Sequence, residues 1–166
     1  MTAGVAGTEP GARAPIRRIV VGVQVGRDLL AATDDPLFLE LTGPAGREFR
    51  LQVARGRSLR RGSQDRFVLG AKADPETNVA NPELNDPTAP ALDADAIVGI
   101  ALRKGLDPIP NVRGHGELDD RLQVLAVDVE VYVEGEPEPR RWTRSGDFWL
   151  GLVSGLRLHL APVARA

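Results

Sequence analysis

Leu125-Ala126-Val127-Asp128-Val129-Glu130-Val131-Tyr132-Val133 is the stretch on which the fold turns. Leucine or valine occupies every second position, with Asp128 and Glu130 between them. On a helix these valines would spread around the axis. On a strand they share one face, and the β-branched side chain suits that pleated surface. A strand of this kind needs a second apolar layer to cover it.

Working outward, the same two-residue period recurs. Ile19, Val21, Val23 and Val25 form a strand, followed by a connection over residues 27–36. Leu37, Leu39 and Leu41 alternate with Phe38 and Glu40. After the Gly43-Pro44-Ala45-Gly46 turn, Phe49, Leu51 and Val53 resume the alternation, so residues 37–54 are expected to form an antiparallel hairpin. Gly62-Ser63-Gln64-Asp65-Arg66-Phe67-Val68-Leu69 reads as a polar turn opening a further strand, with Phe67 and Leu69 on its inner face. Asp65 is expected to accept backbone N–H bonds at that turn.

Beyond it, residues 71–95 carry Pro75, Pro82, Pro87 and Pro90 and six carboxylates, with no surviving period. This is a long Pro/Asp-rich loop, expected to be disordered or loosely draped over the sheet. Ile97-Val98-Gly99-Ile100-Ala101-Leu102 returns to strand, and a Gly/Pro-rich connection covers residues 104–121. Gly135-Glu136-Pro137-Glu138-Pro139 ends the Leu125 strand. Phe148, Leu150 and Leu152, then Leu156, Leu158 and Leu160, form the last strand region, with a bend at Ser154-Gly155.

The expected fold is all-β, an antiparallel sandwich of about seven to eight strands, because each strand offers one apolar face that a second sheet must cover. The 166 residues, 42% of them hydrophobic, suffice for one core. The expected organisation is a flexible N-terminal arm over residues 1–15, one domain over residues 16–161, and a tail over residues 162–166. Cysteine is absent, so neither disulfides nor thiolate metal sites hold the fold, and a cytoplasmic location is expected.

The 21 basic residues are nearly all arginine, but 23 acidic ones leave a net charge of −2. With no aromatics interleaved for base stacking, Arg55, Arg57, Arg60 and Arg61 read as a solvated basic edge, and nucleic acid is not expected as a partner. His115, Glu117, Asp119 and Asp120 are the densest set of metal-ligand types, but they lie in a Gly-rich connection. No nucleophile elbow accompanies them, so an enzyme is not expected and a small hydrolase built on that cluster is the weakest reading. Trp142 and Trp149, with Arg141 and Arg144, are the candidate partner-binding patch, since large aromatics near arginine anchor interfaces.

With the strands placed, residues 21–69 resemble the PLAT/LH2 (lipoxygenase homology) domain family. The matching pieces are Thr33-Asp34 before the Leu37 strand, the Gly43–Gly46 hairpin, and Gly62-Ser63-Gln64-Asp65-Arg66-Phe67; the second half matches through the Ile97 and Val127 strands. Ala32 stands where the family has glycine, the 71–95 loop is longer than usual, and no tryptophan begins the Leu125 strand. The resemblance implies a non-catalytic binding module that engages a protein partner, or a peripheral lipid surface, through its loops and the aromatic/Arg patch. A structural subunit of a homo- or hetero-oligomer is the alternative. It also implies possible calcium binding at Asp34 and Asp35.

Overall fold

The structure, a computed structural model, describes residues 13–44, 46–106 and 121–165. Among the described residues nine strands make two antiparallel sheets: β1 (Ile16–Val25), β2 (Leu37–Thr42), β3 (Arg47–Arg50), β4 (Gln64–Gly70), β5 (Gly99–Lys104), β6 (Leu122–Val133), β7 (Arg140–Leu150), β8 (Arg157–His159) and β9 (Ala161–Pro162). One sheet runs β4-β1-β6-β7-β9 and the other β3-β2-β5-β8. The all-β sandwich expected from the alternation is the fold observed.

The core lies between the sheets. Ile19, Val21, Val23, Phe67, Leu69, Val127, Val129 and Val131 of one sheet meet Leu37, Leu39, Leu41, Phe49, Ile100 and Leu102 of the other. Each of these large side chains contributes roughly 1.5–3 kcal/mol by leaving water. His159 points to solvent between buried Leu158 and Leu160, as its phase requires.

Three elements differ from their sequence reading. Leu125 is out of phase with the valines that follow, because β6 carries a bulge there. Val25 pairs with Val124 and Gln24 with Ala126, so β6 fits one more residue than β1. The inward set is therefore Leu122 and Val124, then Val127 onward. Leu152 does not continue the last strand inward. β7 ends at Leu150, and paired Gly151–Gly155 backbone bonds of 3.0 and 2.9 Å close a hairpin that turns Leu152 and Val153 outward. β5 starts at Gly99 and runs on to Lys104, which the sequence had placed in a connection.

The 71–95 loop is pinned, not loosely draped. Asn78 pairs with the backbone of edge strand β4, accepting from Val68 N at 2.8 Å and donating to Arg66 O at 2.9 Å. Asn85 accepts from Arg50 N at 2.8 Å, and Asp93 from Arg13 N and Ala14 N at 3.1 Å. Arg18 holds Asp74, and Arg47 donates to the carbonyls of Leu84 and Asp86. Side-chain amides and carboxylates thus add to the apolar anchors Val79, Leu92 and Ala94, which are buried in the core, and the loop covers an otherwise open sheet edge.

Candidate docking surface

Strand alternation gathers at one end residues 26–36, 51–63 and 151–156, with Gly105, Leu106 and Arg121 beside them. Backbone bonds lace their described parts together. Gly62 N donates to Gly26 O at 2.8 Å, Gln123 N to Ala31 O at 2.9 Å, Gly105 N to Pro36 O at 2.7 Å and Lys104 N to Leu156 O at 2.8 Å. The end is a built surface carried by both sheets.

Its tips are apolar. Leu29 is 78% exposed, Leu30 71% and Val153 93%, with Leu106 and Leu152 also exposed. Among the described residues the other large apolar side chains in solvent, Leu84, Val98 and Val163, are scattered away from this end. Leu30 in addition holds φ at +68°, a left-handed conformation that a branched side chain adopts at a cost of roughly 1–2 kcal/mol. Folding alone gives no reason to place an exposed leucine there.

Arginines surround the tips. Arg27, Arg50, Arg55, Arg57 and Arg61 have no carboxylate within ion-pair distance among the described residues. Elsewhere some arginines are paired, although Arg13, Arg17, Arg47, Arg66 and Arg144 also have no carboxylate within ion-pair distance among the described residues. Arg103 meets Glu48 at 2.6 Å, Arg157 meets Glu40 at 2.8 Å and Arg140 meets Glu136 at 2.7 Å. Arginines without a paired carboxylate thus stand beside the apolar tips, together with Asp28 and Asp147, which accept from Gln123.

Asp65 anchors the arginine-bearing loop. Its Oδ2 accepts from Leu59 N at 2.9 Å and from Ser63 Oγ at 2.6 Å, the turn-holding role expected of it. Asp34 and Asp35, the candidate calcium ligands, lie in the neighbouring connection. Asp35 is buried against the ammonium of Lys104, and Asp34 meets Arg60 at 3.2 Å. Among the described residues no three His, Asp or Glu side chains converge as a metal site, whereas calcium needs about six to eight oxygen ligands. As a donor set this pair does not fit calcium, since each carboxylate already faces a protein cation.

The four residues of the aromatic/Arg patch do not share a surface. Trp142 pairs with inward Val129 and packs partly on the core, while Arg144 sits on the same side of β7 with its guanidinium 6.0 Å from the Phe148 ring. Arg141 faces outward and meets Glu130 at 2.7 Å. Trp149, also outward, is the one of the four beside the docking end, with Arg121 stacked 4.8 Å over its ring. His115, Glu117, Asp119 and Asp120 lie outside the described residues.

Sequence reading missed Leu29, Leu30, Leu152, Val153 and Lys104. The usable signal was a Leu-Leu pair inside a polar connection, next to Arg27. A lysine four residues before Pro108 gives no comparable sign that it will be fully buried.

No protein-family model and no curated protein sequence matches the chain. Solved structures do. The alpha-toxin of Clostridium perfringens from an avian strain superposes with a TM-score of 0.57 at 16% identity, over 93% of this chain and 34% of the toxin. The alpha toxin from Clostridium absonum gives 0.56 at 13%, over 96% of this chain and 34% of that one. Coral 8R-lipoxygenase, described as calcium-activated through a C2-like domain, gives 0.53 at 17%, over 87% of this chain and 17% of the enzyme. The chain thus spans about a third of the toxins and a sixth of the lipoxygenase. At these identities the likeness concerns fold, and the fold is a PLAT-like, C2-like β-sandwich.

Proposed function

We propose that this chain is a non-catalytic module that docks on an anionic lipid surface through the end bearing Leu29, Leu30, Leu106, Leu152 and Val153. The observation that carries this reading is the coincidence, at one end, of exposed apolar tips with arginines that have no carboxylate partner. Each inserted leucine or valine contributes roughly 1.5–3 kcal/mol, and each arginine near a negative surface about 1 kcal/mol. Neither alone gives firm attachment; together they do. No helix among the described residues is long and apolar enough to cross a membrane, so the proposal concerns attachment to a surface.

The coral lipoxygenase is described as activated by calcium through its C2-like domain. In this chain Lys104 supplies the positive charge that Asp35 faces, so docking proceeds without calcium. Sedimentation of the full chain with phosphatidylcholine vesicles, with and without phosphatidylserine, tests the function. Binding that requires phosphatidylserine, weakens with salt and ignores a calcium chelator is expected. A chain left in the supernatant in every case would instead favour a protein partner for the same surface.

A further inference from the structure

Beside the apolar tips, a cleft of about 180 Å³ opens between the 33–37 and 50–60 segments. Water occupies roughly 30 Å³ per molecule in the liquid, so this space admits a tetrahedral anion with its hydration. Arg50, Arg57 and Arg60 line it, with Ser58, Gln52 and Asp34. Arg50 and Arg57 have no carboxylate partner among the described residues. The Nε of Arg60 is out of reach of solvent and donates to no acceptor. That nitrogen has no open side toward the cleft, so an anion there would meet the terminal nitrogens of the three guanidiniums.

Charge narrows the ligand class. Among the described residues the three guanidiniums are opposed by Asp34, while Asp35 faces Lys104, an excess of about two positive charges. A phosphomonoester carries about 1.5–2 negative charges near neutrality, a closer match than a diester's single charge. Asp34 is 85% exposed, and its 3.2 Å contact with Arg60 is of the weak surface kind that an anion displaces.

We infer that this cleft is a subsite for the phosphomonoester head group of an anionic lipid, reached while the neighbouring leucines enter the bilayer. The inference rests on the lipid-docking reading above. It makes Arg57 and Arg60 the source of head-group preference, while the tips and the positive charge of this end together supply general affinity.

The test compares vesicles containing phosphatidic acid with vesicles containing phosphatidylserine at matched surface charge, and adds glycerol phosphate titrated in solution and followed by amide chemical shifts. The full chain is expected to prefer phosphatidic acid by about tenfold. Arg57→Gln with Arg60→Gln abolishes that preference by lowering phosphatidic acid binding further than phosphatidylserine binding, which also falls severalfold. Exposed Arg50→Gln, which disturbs no buried group, reduces the preference and guards against a folding defect. Leu30→Ser with Val153→Ser weakens both vesicle types equally and preserves the saturable glycerol phosphate response. The subsite is overturned if wild type shows no preference, if the preference survives loss of the arginines, or if glycerol phosphate gives no saturable shifts at residues 50–60. Saturable shifts there without vesicle binding would sustain the phosphate site and refute lipid docking alone.

Discussion

Lys104 and Asp35 form an ion pair inside the protein, the lysine at 0% exposure, tying the last residue of β5 to the connection that enters β2. Lys104 Nζ also lies 3.4 Å from its neighbour's carbonyl, Gly105 O. Removing one partner leaves the other charge buried alone, at a cost of roughly 3–5 kcal/mol. Lys104→Met is therefore expected to lower the free energy of unfolding by about that amount. Lys104→Met with Asp35→Leu should recover much of the loss. Chemical denaturation of the two variants reads this out, and a double variant no better than the single one would show that the pair contributes more than mutual neutralisation.

Leu30 yields a prediction with two signs. At φ +68° glycine carries no steric cost, so Leu30→Gly is expected to stabilise the fold by about 0.5–1 kcal/mol. The same change removes an apolar tip and weakens vesicle binding severalfold. Thermal melts and sedimentation on one preparation check both. A variant that is less stable, or that binds as well as wild type, would count against Leu30 as a strained docking tip.

Asp65 holds the loop that carries Arg55, Arg57, Arg60 and Arg61. Asp65→Ala is expected to cost about 0.5–2 kcal/mol, as for a lost capping group. It should also weaken binding to phosphatidylserine vesicles, because the arginines lose their fixed arrangement. Unchanged stability would show that Leu59 N and Ser63 find other acceptors.

At the opposite end, Glu136 accepts hydrogen bonds from Arg140, with Arg165 beside it, and these hold its carboxyl at about 2 instead of the ordinary 4.5. A depressed folded pKa stabilises the protein fully above the ordinary value, and that stabilisation is lost as pH falls toward the depressed one. Glu136 is partly exposed, so solvent screening limits the contribution to about 1–2 kcal/mol. Between about pH 6 and about pH 3 wild type should therefore lose more stability than Glu136→Gln, by about that amount. Parallel pH profiles for the two proteins would show that the network contributes nothing.

The sandwich was legible because Val127, Val129, Val131 and the Ile19–Val25 alternation admit one secondary structure and one way to bury it. What escaped was geometry that no period encodes. Leu125 left its phase because one strand fits an extra residue against its neighbour, which is a property of two strands together. Leu152 left its strand because Gly151, directly after the last inward residue of β7, and Gly155 close a hairpin on themselves. The 71–95 loop has only a few, irregularly spaced apolar anchors, Val79, Leu92 and Ala94, and the rest of its order comes from Asn78, Asn85 and Asp93 meeting backbone groups. The aromatic/Arg patch was a cluster in sequence only, since alternation sends Trp142 and Arg141 to opposite faces of β7. The docking end joins connections that are far apart along the chain, so strand order had to be known before Leu29 and Val153 could be placed together.

Docking through the apolar end is tested most directly by co-sedimentation of wild type and of Leu29→Ser with Leu30→Ser and Val153→Ser on phosphatidylcholine vesicles containing phosphatidylserine. All three side chains are in solvent, so the variant should melt with wild type while its vesicle partitioning falls by about tenfold or more. Equal partitioning of the two proteins would contradict the account.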